Sequence, residues 1–157
     1  MIILLGILAT FAEAKEVKVT VSGSSTVMPL AELAAEEFNL MQDEYHVSVT
    51  SGGTGVGIID IAQGRSDIAM ASREITPVER QRYETAEERF QEFPIAVDAI
   101  CIVFSDDVYD SGVTDLTRDQ VKRIYAGDIT NWMDVGGQDM EIFAIGRRAA
   151  SGTRDTF

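Results

Sequence analysis

Three short turns built from glycine and hydroxyl residues are where this sequence could do chemistry: Gly23-Ser24-Ser25-Thr26, Gly53-Thr54-Gly55 and Ser151-Gly152-Thr153. Each follows a strand-like run and opens a helix-like one. Backbone N–H groups at a helix start have no partner within the helix, and the dipole there favours negative charge. Glycine lets a ligand approach the backbone, and Ser and Thr add O–H donors. Taken singly, each turn reads more simply as a cap or a tight bend. Three of them at β-to-α junctions predict a site for an oxyanion.

Two charged residues join the turns. Arg147 lies four residues before Ser151, and a planar guanidinium suits a tetrahedral oxyanion. Asp67 opens a third strand-like run. An ionised carboxylate accepts a hydrogen bond from a protonated anion and repels a fully deprotonated one such as sulfate. A surface cap, or an ion pair with an arginine, is the competing reading of Asp67. Nucleotide-binding motifs do not fit. A P-loop needs Lys before Ser or Thr, and Gly52 to Gly57 has none. Gly53-Thr54-Gly55-Val56-Gly57 has the wrong spacing for a dinucleotide fingerprint. One histidine (His46) and one cysteine (Cys101) leave neither an activated nucleophile nor a metal cluster for a phosphatase. The residues therefore point to a binding protein, not an enzyme, with no cofactor and no metal.

The elements that must position these turns alternate strand and helix. Val17, Val19 and Val21 lie on one face of a half-buried strand. Thr26 is the expected N-cap of a helix over 29–41, with Pro29 in its first turn. His46–Thr50 predicts a second strand, Ile58–Gln63 a helix stopped by Gly64, and Asp67–Ala71 a third strand. Thr76-Pro77-Val78-Glu79 and Thr117-Arg118-Asp119-Gln120 are capping boxes, the first expected to start a helix running to about Glu92, the second one ending at Gly127. Phe93–Phe104, which includes Cys101, reads as strand, crossover, strand with the thiol buried. Glu141–Gly146 predicts a further strand. The order implies an α/β fold with mostly parallel sheets, whose ligands bind at strand carboxyl ends.

Composition sets limits on partners. The 157 residues carry a net charge of −13, which disfavours nucleic acid and anionic lipid. An anion must be held here by local geometry against the global field. A single cysteine leaves no internal disulfide. Residues 1–14 (MIILLGILATFAEA) read as a signal peptide ending in Ala12-Glu13-Ala14, too short to span a bilayer as a helix. The mature protein is thus expected to be periplasmic or extracellular.

Four segments carry a family resemblance: Gly23–Leu30, Ser51–Arg73, Ile124–Trp132 and Arg147–Thr153. With them the chain resembles the phosphate-binding proteins of high-affinity ABC transporters, a branch of the type II periplasmic binding proteins. The resemblance implies two α/β lobes closing over phosphate, a receptor that delivers it to ABC permease subunits, and a monomer. It implies that Thr26, the Val27 backbone N–H and Thr54 bind from the first lobe, with Asp67 as proton acceptor. Arg147, Ser151, Gly152 and Thr153 would bind from the other lobe, and Ser72 would lie near the site. Arg147 is preferred over Arg148 by its spacing to Ser151. Lobe one is expected over 15–96 and lobe two over 97–157. Family members are longer, so the resemblance implies that the C-terminal part is missing. Such a piece is expected to bind phosphate weakly or not at all and to aggregate. The alternatives are a phosphate-binding sensor or adhesion protein on the same fold, or a receptor for sulfate, molybdate or tungstate.

Overall fold

The alternating valines form strand β1 (Val17–Gly23), followed by α1 (Met28–Met41), β2 (Tyr45–Ser51), α2 (Thr54–Ala62), β3 (Ile68–Met70) and α3 (Pro77–Tyr83). Two further helices, α4 (Asp106–Asp110) and α5 (Arg118–Ala126), a 3-10 turn (Trp132–Val135) and α6 (Gly152–Thr156) complete the chain. This computed structural model describes residues 16–157, so the signal-peptide expectation lies outside the described residues. The chain divides into two units, residues up to Phe93 with Ala150–Thr156, and Pro94–Ala149 with Phe157.

The first unit holds a parallel sheet in the order β2-β1-β3. The chain leaves β1 for one neighbour and returns past it to the other, so β1 sits where strand order reverses. A ligand crevice forms beside such a reversal, at the carboxyl ends of the strands. Val21, Met70, Ala35 and Ile58 make the core, each large one contributing about 1.5–3 kcal/mol by burial. Helix α1 is fastened to the outer edge of β2 by two side-chain amides. Asn39 Nδ2 donates to the Val47 carbonyl at 2.9 Å, and Val47 N–H donates back to Asn39 Oδ1 at 2.9 Å. Gln42 does the same with Tyr45 at 2.8 and 2.7 Å. These amides occupy backbone groups that an edge strand would otherwise leave open to another chain.

Two helix starts differ from expectation: α2 opens at Thr54, four residues before Ile58, and α1 lacks its expected cap. The box Thr76/Glu79 caps α3, and Thr117/Gln120 caps α5. Helix α1, however, begins after Val27 with no side-chain cap. Thr26 is instead part of the preceding turn, where its N–H donates to Ser24 Oγ at 3.2 Å. Helix α3 stops at Tyr83, short of the expected Glu92, because Glu84 is extended.

In the second unit Val108 of α4, Ile124 of α5, Val113 and Ile129 are buried, and Gly127 ends α5 in the left-handed conformation. Two strand expectations fail here. Phe93–Phe104 forms neither helix nor strand, and of Glu141–Gly146 only an isolated antiparallel bridge from Glu141 to Asn131 appears. A strand exists only through a partner ladder; among the described residues none pairs with 93–104, and 141–146 has only the single Asn131 bridge. Val97 and Val103 are accordingly exposed, and so is Cys101, which corrects its expected burial.

Candidate functional site

The carboxyl edge of the sheet gathers the small-residue turns by main-chain bonds. Ser24 N–H donates to the Met70 carbonyl at 2.9 Å, joining the turn after β1 to the end of β3. The Gly23 carbonyl accepts from Gly52 N–H at 3.0 Å and Gly53 N–H at 2.8 Å, joining it to the turn after β2. Gly53 has φ +98, a conformation that disfavours any side chain, and an added Cβ would lie 2.9 Å from the Ala150 carbonyl carbon.

Onto this edge the first unit brings the segment Ala150–Thr156. The Ala150 carbonyl accepts from Gly55 N–H at 3.3 Å. A Cβ on Gly152 would sit 2.6 Å from Ser72 Oγ and 3.0 Å from Thr54 Cβ. Only glycine lets α6 start this close. The expected lobe-two range placed Ser151, Gly152 and Thr153 in the second unit; these contacts put them in the first.

Five hydroxyls converge around the start of α6. Thr54 is fully buried; its Oγ1 accepts the Ser72 N–H at 3.1 Å and shares a hydrogen bond with Ser72 Oγ at 3.1 Å. Thr26 Oγ1 and Thr153 Oγ1 share another at 3.2 Å. Ser151 is buried, and its Oγ accepts the Arg154 N–H at 3.3 Å. In each shared pair one O–H proton bridges the two oxygens, which leaves the second to be donated elsewhere. A hydroxyl can also accept a bond from a protonated ligand. The cluster is therefore a set of neutral, reorientable donors, suited to an anion on a chain of net charge −13.

The charged residues are placed differently from the turns. Asp67 does not reach the cluster. Strand register sets Val21 opposite Ile68, so Asp67 lies level with Thr20, three residues before the edge at Gly23, or about 10 Å along the strand. Its Oδ2 accepts from Thr20 N–H at 2.8 Å and Thr20 Oγ1 at 2.9 Å. These bonds, the backbone one foremost, hold its carboxyl below the usual range. Asp67 thus clamps the entrance of β3, which matches the surface-cap reading. Arg147 lies in the second unit, exposed, in a stretch without helix. Helix α6 begins only at Gly152, so the residues from Arg147 to Ser151 precede it. Val27, half-buried, opens α1 beside Thr26.

Sequence reasoning passed over Arg73. Its Nε donates to Asp155 Oδ2 at 2.9 Å, and its two terminal nitrogens donate to the two oxygens of Glu79, each at 2.9 Å. Glu79 is lowered from 4.5 to about 2, chiefly by Arg73 and then by Thr76, while Arg73 is raised, chiefly by Glu79. The available signal was position: Ser72-Arg73 follows β3 at the same sheet edge as the other turns. Among the described residues no group of three or more His, Cys, Asp or Glu could hold a metal ion.

Known proteins are similar to this chain over part of their length. The chain is 30% identical over 138 residues to the phosphate-binding protein PstS of Bacillus subtilis, covering 88% of this chain and 44% of that one. It thus spans less than half the length of that relative. Among solved structures, a phosphate ABC transporter substrate-binding protein with bound phosphate from Clostridium perfringens matches with a TM-score of 0.76 and 36% identity, over 88% of this chain and 54% of the other. An ABC-type phosphate transport receptor from Vibrio cholerae matches with a TM-score of 0.69 and 37% identity, over 88% and 53%. These neighbours share the periplasmic-binding-protein type of α/β fold expected from the strand-helix order. Residues 9–157 match the family model described as PBP superfamily domain, and the chain belongs to that family.

Proposed function

We propose that this chain supplies the oxyanion-gathering part of an exported receptor that captures inorganic phosphate and passes it to ABC permease subunits. The observation that carries the reading is the hydroxyl cluster of Thr26, Thr54, Ser72, Ser151 and Thr153 at the carboxyl edge of a parallel sheet. The names of the relatives in Bacillus, Clostridium and Vibrio support phosphate as ligand and transport as setting. In this reading the protein is a monomeric, non-catalytic carrier. Thr26, Thr54, Ser72, Ser151 and Thr153 donate O–H groups, and Val27, Gly152 and Thr153 offer backbone N–H groups.

Calorimetric titration with phosphate tests this, comparing the unchanged chain with Thr54→Val. Thr54→Val keeps the shape but strands the Ser72 N–H and hydroxyl, a loss of about 1–3 kcal/mol. We expect weak, saturable binding by the unchanged chain, the stronger of the two outcomes the sequence allows, falling at least tenfold in the variant. Equal heats from both proteins would overturn the assignment.

The position of Asp67 favours a second reading, a receptor that admits sulfate. The carboxylate that would repel a fully deprotonated anion is engaged by Thr20 instead. Titration with sulfate under the same conditions separates the two: affinity equal to that for phosphate establishes the broader receptor.

A further inference from the structure

Arg73 has the form of an anion-gripping residue but not the freedom. A guanidinium carries five N–H donors. In Arg73, Nε goes to Asp155, Nη1 to both Glu79 and the Glu74 carbonyl, and Nη2 to Glu79. One N–H of Nη2 is left. Its charge faces two carboxylates, and its side chain is only 13% exposed. An incoming anion would meet at most that one N–H, against the repulsion of two carboxylates.

The two carboxylates belong to the first turns of two different helices. Glu79 closes the capping box of α3 with Thr76, its Oε2 accepting the Thr76 N–H at 2.8 Å. Asp155 lies in α6, two residues past Thr153. Arg73 itself follows Ser72, whose N–H and hydroxyl bond Thr54. One side chain therefore ties α3, the turn after β3 and α6 together. Helix α6 has five residues, too few to hold its own place by helical propensity. Its docking rests on the Gly55–Ala150 and Thr26–Thr153 bonds and on the Arg73–Asp155 pair.

We propose that Arg73 is a positioning residue for the oxyanion site: through Asp155 it holds α6 in register, so that Ser151, Gly152 and Thr153 meet Thr26, Thr54 and Ser72. The binding consequence rests on the phosphate reading above; the docking consequence does not.

The test is a double-mutant cycle on the full chain with Asp155→Ala, Arg73→Gln and the pair. Asp155→Ala leaves the Arg73–Glu79 bonds in place, so α3 and its cap are retained. Two readouts are taken: amide hydrogen exchange over residues 150–156, and phosphate affinity by calorimetry. Asp155→Ala is expected to raise exchange in that segment and weaken phosphate binding about fivefold, the upper range for a partly exposed ion pair. In the Arg73→Gln background it is expected to add nothing, and sheet amides should keep their protection. Unchanged exchange over 150–156 in Asp155→Ala, or an effect as large without Arg73 as with it, overturns the proposal. Should the unchanged chain fail to bind phosphate, the receptor reading falls, while exchange still decides whether Arg73 docks α6.

Discussion

Replacing Gly152 by alanine separates site geometry from fold stability. The added methyl would lie 2.6 Å from Ser72 Oγ and 3.0 Å from Thr54 Cβ, well inside ordinary contact distances of about 3.5–4.0 Å. Thr54 cannot yield, because it is fully buried and bonded to Ser72. Helix α6 can, since it has only five residues. Overpacking costs about 1–3 kcal/mol, and a displaceable partner puts this variant near the lower end. The melting temperature of a chain of 157 residues should fall by about 2–4 °C for each kcal/mol lost. Binding should suffer more. A shift of α6 by several tenths of an ångström breaks the Thr26–Thr153 pair, now 3.2 Å apart, and misdirects the donors after it. Hydrogen bonds to a charged ligand are worth about 1.5–3 kcal/mol each, so affinity should drop about 10- to 100-fold. Gly55→Ala is the stability control. A Cβ there meets only Ala150 at 3.9 Å, and alanine in a helix gains about 0.5–1 kcal/mol over glycine. Thermal melts and phosphate calorimetry on both variants are the assay. Affinity for Gly152→Ala within twofold of the unchanged chain would refute the close-approach reasoning.

Further outcomes follow from the charged residues. Glu79 is lowered from 4.5 to about 2, so its stabilising contribution is complete above about pH 4.5 and is lost as pH falls toward 2. After solvent screening of a partly exposed pair this amounts to about 1–2 kcal/mol. Acid unfolding curves of Glu79→Gln should be flatter over that window; parallel curves would remove Glu79 as the cause. Asp67→Asn should leave the ratio of phosphate to sulfate affinity unchanged, since Asp67 bonds Thr20. A marked gain in sulfate binding would restore its role as proton acceptor.

The legible parts of the fold were those written in local chemistry. Both capping boxes, the glycine stops at Gly64 and Gly127, and the alternating valines of β1 needed no tertiary information. Two of the three turns, Gly23–Thr26 and Gly53–Gly55, lie together because each follows a strand of the parallel sheet; Ser151–Thr153 follows no strand and meets them through the Gly55–Ala150 and Thr26–Thr153 bonds. The illegible parts depended on partners distant in sequence. Phe93–Phe104 has strand composition, but pairing is decided elsewhere. Asp67 was grouped with the turns because residue type does not say at which end of a strand a side chain stands; the register with Thr20 puts it at the opposite end of β3 from the turns. Arg73 was missed because its partner Asp155 is 82 residues away. Family resemblance pointed to Ser151–Thr153 as binding residues and sequence order put them in lobe two, whereas the structure groups Ala150–Thr156 with the first unit.

The central claim is that the hydroxyl cluster of the first unit is where an oxyanion binds. Amide NMR of the chain titrated with phosphate tests it most directly, because it registers even an affinity near ~1 mM, about 4 kcal/mol. Saturable shifts should appear at Val27, Thr54, Ser72, Gly152 and Thr153, with Asp67 and Thr20 at the other end of the sheet unmoved. Shifts centred on Asp67, or no saturable shift at the five cluster positions, would contradict it.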